Sequence, residues 1–247
     1  MTTPEDARLK RFVVIAAAVL AAVAGFVNSV FLTSLLLPVS HVTGSLSQAS
    51  MDVTGGDLSG LTNLATVLIA FFCGAIAAGA LLGPHTQTIG RRYGVALLIE
   101  AALLGAAPLV AGEQQSTPYA MILAAGACGL QNGMFSNYRG MVLRTSHMTG
   151  TLTDLGVLLG CRGYRGGQAW KGVLLATTVV TFAGGGVAGA YAASAAALHA
   201  LWIPATCCAL LGGGYALYRH RRHVTRPRHW PARSPHGQPE RRYAGVR

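Results

Sequence analysis

Apolar residues along this chain lie in long blocks instead of alternating with polar ones. No charge occurs between Arg11 and Pro38. Further blocks cover 58–83, 93–111, 118–138, 172–193 and 194–218, broken by one deeply placed acid, Glu100. A sheet facing water on one side would alternate with period two. Blocks of about 19–26 residues instead match the roughly 20 that a helix needs to cross a bilayer core. The pattern predicts an all-α membrane protein with six transmembrane helices. It divides the chain into an N-terminal segment, 1–11, a transmembrane domain, 12–218, and a C-terminal tail, 219–247.

The polar segments between the blocks are not independent. SHVTGSLSQ at 40–48 recurs as SHMTGTLTD at 146–154. Ahead of each copy, GFVNS (25–29) matches GLQNG (129–133) and pairs Asn28 with Asn132. Behind each, FFCGAIAAGA (71–80) matches TFAGGGVAGA (181–190) without a gap and pairs Gly74 with Gly184. The blocks 93–111 and 194–218 show no comparable match. Repeat 1 then runs over about 12–111 and repeat 2 over about 118–218. Three spans per half turn the second half over relative to the first. The expected architecture is a 3+3 inverted-topology repeat, a plan found among transporters.

Each copy is followed by about ten residues before the next glycine cluster, too few to span. Ser45 with Gln48, and Thr151 with Asp154, have the spacing of a reciprocal helix cap. The sequence therefore predicts two short half-helices, one after the first span of each half, beginning at Ser45 and Thr151. A helix start carries unpaired N–H groups and partial positive charge, which suit anions and carboxylates. The candidate solute-binding residues are Asn28, His41, Thr43, Gly44, Ser45, Gln131, Asn132, His147, Thr149, Gly150 and Thr151. The two histidines could donate hydrogen bonds or change charge near neutral pH. The plainer alternative is that Ser, Thr and His only cap helices at the membrane interface.

Glu100 is the one acid deep in an apolar block, where an acid is expensive and tends to face the bundle interior. It is the candidate for proton or ion coupling, with a structural hydrogen bond between helices as the alternative. Asp154 could pair with Arg139 or Arg144. The small-xxx-small spacings Gly74/Ala78 and Gly185/Gly189 predict close helix packing. The cysteines Cys73, Cys128, Cys161, Cys207 and Cys208 form no CxxC pair, and two histidines without further partners make poor zinc spacing. No metal, no cofactor and no nucleotide-binding loop is expected.

Composition agrees: 52% of the residues are hydrophobic and 11% are charged, against about 25% charged in a soluble domain. The formal net charge of +11 would suggest nucleic acid if it were spread over the surface. It is not. Lys and Arg fall at 8, 10 and 11, at 91 and 92, at 139, 144, 162, 165 and 171, and nine times from 219 onward. All lie on one side if both termini are cytoplasmic, as the positive-inside rule requires. The expected partners are the lipid bilayer, anionic lipid head groups for the Arg-rich tail, a small-molecule solute and no nucleic acid. The small-residue helix faces also suit a homo-oligomer.

GLQNGMFSNYRGMVLRTSHMTGTLTDLG (129–156), together with AGFVNSVFLTSLLLPVSHVTGSL (24–46), resembles the YoaK-like family of bacterial multipass membrane proteins. The resemblance covers roughly 12–218, and its most specific part runs from Arg144 to Thr153. It implies a protein of the bacterial cytoplasmic membrane. Relatives often carry Asp where this chain has Asn28, and Asn where it has His41 and Ser45, so ion coupling at position 28 is not expected here. The favoured function is a secondary transporter or permease for a small polar solute, anions included, and not an enzyme. The alternatives are a passive channel, a structural or assembly role and, less favourably, a lipid-modifying enzyme pairing His41 with Asp52 or His147 with Asp154.

Overall fold

The computed structural model describes residues 4–83, 91–111, 117–134, 144–161 and 169–224. The basic tail beyond 224, with Trp230, and the proposed partner Arg139 lie outside them. The helices, in chain order, are α1 (Pro4–Leu35), α2 (Val42–Gly55), α3 (Leu58–Leu82), α4 (Arg91–Val110), α5 (Thr117–Met134), α6 (Met148–Gly160), α7 (Ala169–Ala196) and α8 (Trp202–Val224). A 3-10 turn, Ala197–Leu201, joins the last two.

Among the described residues, four segments are long and apolar enough to cross a membrane: Ala7–Leu35, Leu58–Leu82, Arg92–Val110 and Ala169–Tyr218. The chain is thus an all-α, multipass membrane protein. Two of the six expected spans differ from expectation. Helix α5 has 18 residues and is not among these four. Helices α7 and α8 form one apolar segment of 50 residues, since no polar stretch divides them. A backbone break divides them instead: Ala197 sits at φ 47, in the left-handed region that a helix cannot use. Large apolar side chains on α3, α7 and α8 are exposed, among them Phe72, Val180 and Leu210 at 65%, 69% and 71%. In water such faces would be a liability, whereas lipid solvates them.

The helices associate in three main pairs, α1 with α7, α3 with α5 and α4 with α8. Hydrophobic burial gives little drive between helices in lipid, so close approach at small residues has to supply the contact. A Cβ at Gly25 would run into the carbonyl of Phe182, and one at Gly185 into that of Ala22. In the second pair, a Cβ at Gly129 would meet the carbonyl of Phe71, and one at Gly74 that of Gly126. Ala22 opposes Gly185 and Phe26 opposes Gly189, so α1 and α7 run parallel. Helices α3 and α5 are parallel by the same logic, with Ala70 near Gly126 and Ala78 near Gly133. Helices α4 and α8 are antiparallel, with Gly94 against Gly212 and Gly105 against Trp202. The close packing expected at Gly74 and at Gly185/Gly189 is therefore present.

Two short helices flank these pairs. Helix α2 has 14 residues and α6 has 13, about 20 Å each. Helix α2 packs on α3, and α6 packs on α7. Helix α2 ends at Gly56, whose φ of 73 turns the chain into α3. Asp57 then caps α3, its carboxylate accepting from the N–H groups of Ser59 and Gly60 at 3.1 and 2.9 Å. The Gly60 N–H, followed by the Ser59 hydroxyl, holds the Asp57 carboxyl below its ordinary range.

Gly184 has open space where its neighbour Gly185 has a carbonyl. Gly185→Leu should destabilise the protein by about 1–3 kcal/mol, the usual range for overpacking, while Gly184→Leu should be near neutral. Thermal unfolding of the two variants in detergent checks the difference.

Candidate functional site

Helices α2 and α6 each start from a short polar turn, 38–41 and 144–147. His41 precedes α2 at φ −102, ψ 69, and His147 precedes α6 at φ −88, ψ 64. The helices begin at Val42 and Met148, three residues before the expected starts at Ser45 and Thr151. The reciprocal caps do not form. Gln48 donates to Asp52 at 2.8 Å, and the Thr151 hydroxyl donates to the His147 carbonyl at 3.0 Å. The side-chain hydroxyl of Ser45 is buried without a partner. Neither histidine side chain caps its helix, so the first-turn N–H groups of α2 and α6 have no side-chain acceptor there.

A pair of asparagines holds the two turns. The Ser40 hydroxyl donates to Asn28 Oδ1 at 2.9 Å, tying the first turn to α1. Asn132 Nδ2 donates to Ser146 Oγ at 2.7 Å, and the Ser146 N–H donates to Asn132 Oδ1 at 3.2 Å, tying the second turn to α5. Asn132 also donates to the Cys128 carbonyl at 2.9 Å. Both asparagines are buried, where an unpaired amide would be expensive. Ser40 and Ser146 are thus positioning residues. The repeat of Ser ahead of each His was the sequence signal for them.

Between the turns lies a cavity of about 640 Å³. Ser40, His41, Val42, Thr43 and Gly44 form one wall, and Arg144, Ser146, His147, Met148 and Thr149 form another. Asn132, Gly133, Phe71 and Ala75 complete it from α5 and α3. A second cavity, about 470 Å³ between α3, α4 and α5, is lined almost entirely by apolar residues and offers no comparable polar groups.

Residues 16–213 match the family described as DUF1275, protein of unknown function. The chain belongs to this family. The match spans both histidine turns and every residue of the polar cavity. No curated protein and no solved structure matches the chain.

In this DUF1275 chain the expected site residues fall into three groups. His41, Thr43, Gly44, Asn132, His147 and Thr149 line the cavity. Asn28 in α1, and Ser45, Gly150 and Thr151 in the first turns of α2 and α6, are not among the lining residues; Asn28, Ser45 and Thr151 are buried, and a Cβ at Gly150 would collide with the His147 ring. Gln131 is elsewhere: it donates to the Leu20 carbonyl and bridges α5 to α1. Glu100 is also apart from the cavity wall, fully buried in α4 with the Cys208 thiol of α8 in hydrogen-bond contact. Among the described residues no group of three His, Cys, Asp or Glu is placed to hold a metal.

Eight wall residues were absent from the expected site: Ser40, Val42, Gly133, Ser146 and Met148, with Phe71, Ala75 and Arg144. Phe71 and Ala75 carry no polar signal. Arg144 was visible as one of the basic residues that orient the chain and as a candidate partner of Asp154, not as a wall residue. The His41 ring lies 6.2 Å from that of Phe182, stacked at 29°, while part of the residue stays exposed. This partial burial lowers the His41 pKa from its ordinary 6.5. The folded protein therefore holds His41 neutral more strongly than the unfolded chain does. The resulting stability is complete above pH 6.5 and is lost as the pH falls through the lowered value. His41→Gln should flatten the pH dependence of thermal stability below pH 6.5 and leave it unchanged above.

Proposed function

We propose that this chain is a YoaK-like secondary transporter of the bacterial cytoplasmic membrane, moving a small polar solute through the cavity between its two histidine turns. One observation carries the proposal. Two helix starts about a hundred residues apart in sequence, with the same Ser-His-x-Thr-Gly signature, wall a single polar cavity. Short helices whose starts meet at such a place are a recurring way to bind a solute within a membrane.

The 3+3 inverted repeat is part of this reading, with six spans, two half-helices and both termini cytoplasmic. It is supported by the way the contacts occur in pairs. Gly25 against Phe182 corresponds to Gly129 against Phe71, and Gly185 against Ala22 to Gly74 against Gly126. The Asn28–Ser40 tie corresponds to Asn132–Ser146. These pairs match Gly74 with Gly185 and Phe71 with Phe182, one residue out from the ungapped sequence match. Parallel α1/α7, parallel α3/α5 and antiparallel α4/α8 are also the directions that six alternating spans require.

The two halves differ where the cavity opens, which favours a carrier over a passive channel. Phe71, Ala75 and Gly133 line the cavity on the α3–α5 side. Their counterparts Phe182, Gly186 and Ser29 do not, and there His41 stacks on Phe182. One half supplies lining residues that its equivalent does not, the kind of asymmetry that alternating access demands of each state. Glu100 is our candidate for proton coupling, acting through the α4–α8 contact and not through the solute. The reading assigns the chain no catalytic role.

Single cysteines at Thr43 and Thr149, in a cysteine-free background, test the proposal with a membrane-impermeant thiol reagent applied from either side. Both should react from the same side, because both face one cavity. Reaction of Thr43→Cys from outside only and Thr149→Cys from inside only would place the motifs at opposite surfaces and end the proposal.

A further inference from the structure

We propose that the cavity selects small anions and that Arg144 sets this selectivity; the proposal rests on the transport reading of the same site. Among the described residues, Arg144 is the only Lys or Arg in the cavity wall, and no Asp or Glu lines it. The acids of the neighbouring elements are placed elsewhere. Asp52 accepts from Gln48, Asp57 caps α3, Asp154 is an exposed residue on α6, and Glu100 is beside Cys208. The stretch immediately before Arg144, 135–143, contains no acidic residue in its sequence.

The remaining polar groups add to the same sign. The first turns of α2 and α6 contribute Val42–Gly44 and Met148–Thr149 to the wall, and neither is capped by its histidine. The Met148 N–H donates back to the Ser146 carbonyl at 3.0 Å, while the partial positive charge of both helix starts favours negative charge. Two hydroxyls buried without partners, Ser45 and Thr145, adjoin the wall next to Gly44 and Arg144. Arginine and lysine are what anion pathways through membranes use to discriminate charge, and a low-dielectric cleft of one sign concentrates counter-ions by about tenfold or more.

Arg144 also breaks the likeness between the halves. It stands two residues before Ser146, where the first half has Pro38 before Ser40. Among the described wall residues the charge comes from one turn alone, so a single anionic group is matched by one guanidinium. Its planar fork suits a carboxylate or a similar oxyanion.

The test reads the cavity's charge directly and needs no knowledge of the solute. Thr149→Cys in the cysteine-free full-length protein is treated with methanethiosulfonates of equal reach carrying a sulfonate, a trimethylammonium or no charge. Rates are normalised to those with a free thiol in solution. The sulfonate should react about tenfold faster than the cationic reagent. Adding Arg144→Gln should remove that preference, and Arg144→Lys should keep it. An absent or cationic preference in the Thr149→Cys protein, or one that persists in Arg144→Gln, overturns anion selection while leaving the water-filled cavity intact. If Arg144→Gln does not accumulate, the Thr149→Cys ratio and Arg144→Lys still decide. Failure of all three reagents from both sides would instead remove the cavity, and the transport reading with it.

Discussion

Gly25 and Gly129 sit where a carbonyl oxygen of another helix occupies the space that a methyl group would need. In lipid no solvent pushes helices together, so this approach of backbones is what ties α1 to α7 and α3 to α5. Everything polar depends on those two pairs. Asn28 is one turn beyond Gly25 and Asn132 one turn beyond Gly129, so the glycines fix the height of the amides. The amides then fix the serines, and the serines fix where α2 and α6 begin. A looser pair of helices would leave the turns unpinned and the cavity without a defined wall.

The cavity reconciles two demands that conflict in a bilayer. Backbone that leaves a helix must find hydrogen-bond partners or line a water-filled space. Here the turns at 38–41 and 144–147 do both. Their serines bond back to α1 and α5, and their outer surface faces the cavity. The first-turn N–H groups of the short helices are the remainder that protein side chains do not satisfy. Solvent or a solute is their natural acceptor. An uncapped helix start would be a defect in a packed core and is an asset in a binding site.

Much of the fold was legible because apolar blocks, unlike short strands, leave little choice of element. The helical segments, the duplicated turn and the small-residue faces could all be read from the chain. The errors came where sequence carries no mark. Helices α2 and α6 begin at the residue after His, because the turn is held by Ser to Asn bonds and not by the Ser45–Gln48 or Thr151–Asp154 spacing. The ungapped match between α3 and α7 pairs Gly74 with Gly184, whereas the close contact is at Gly185, which has glycines on both sides, Gly184 and Gly186. Helices α7 and α8 form one apolar segment, and the left-handed Ala197 that divides them looks like any other alanine. In the site, His41, Thr43, His147 and Thr149 were legible through their duplication. Arg144 was not, since a basic residue beside a membrane span is explained by topology alone until a cavity wall is drawn.

The central claim is that two turns distant in sequence share one cavity. A short bifunctional thiol crosslinker on a protein carrying both Thr43→Cys and Thr149→Cys, in native membranes, addresses it most directly. The account predicts an intramolecular bridge between the two positions, seen as one linked peptide pair by mass spectrometry. Modification of both cysteines by separate reagent molecules, with no bridge at any crosslinker length that fits the cavity, would contradict it.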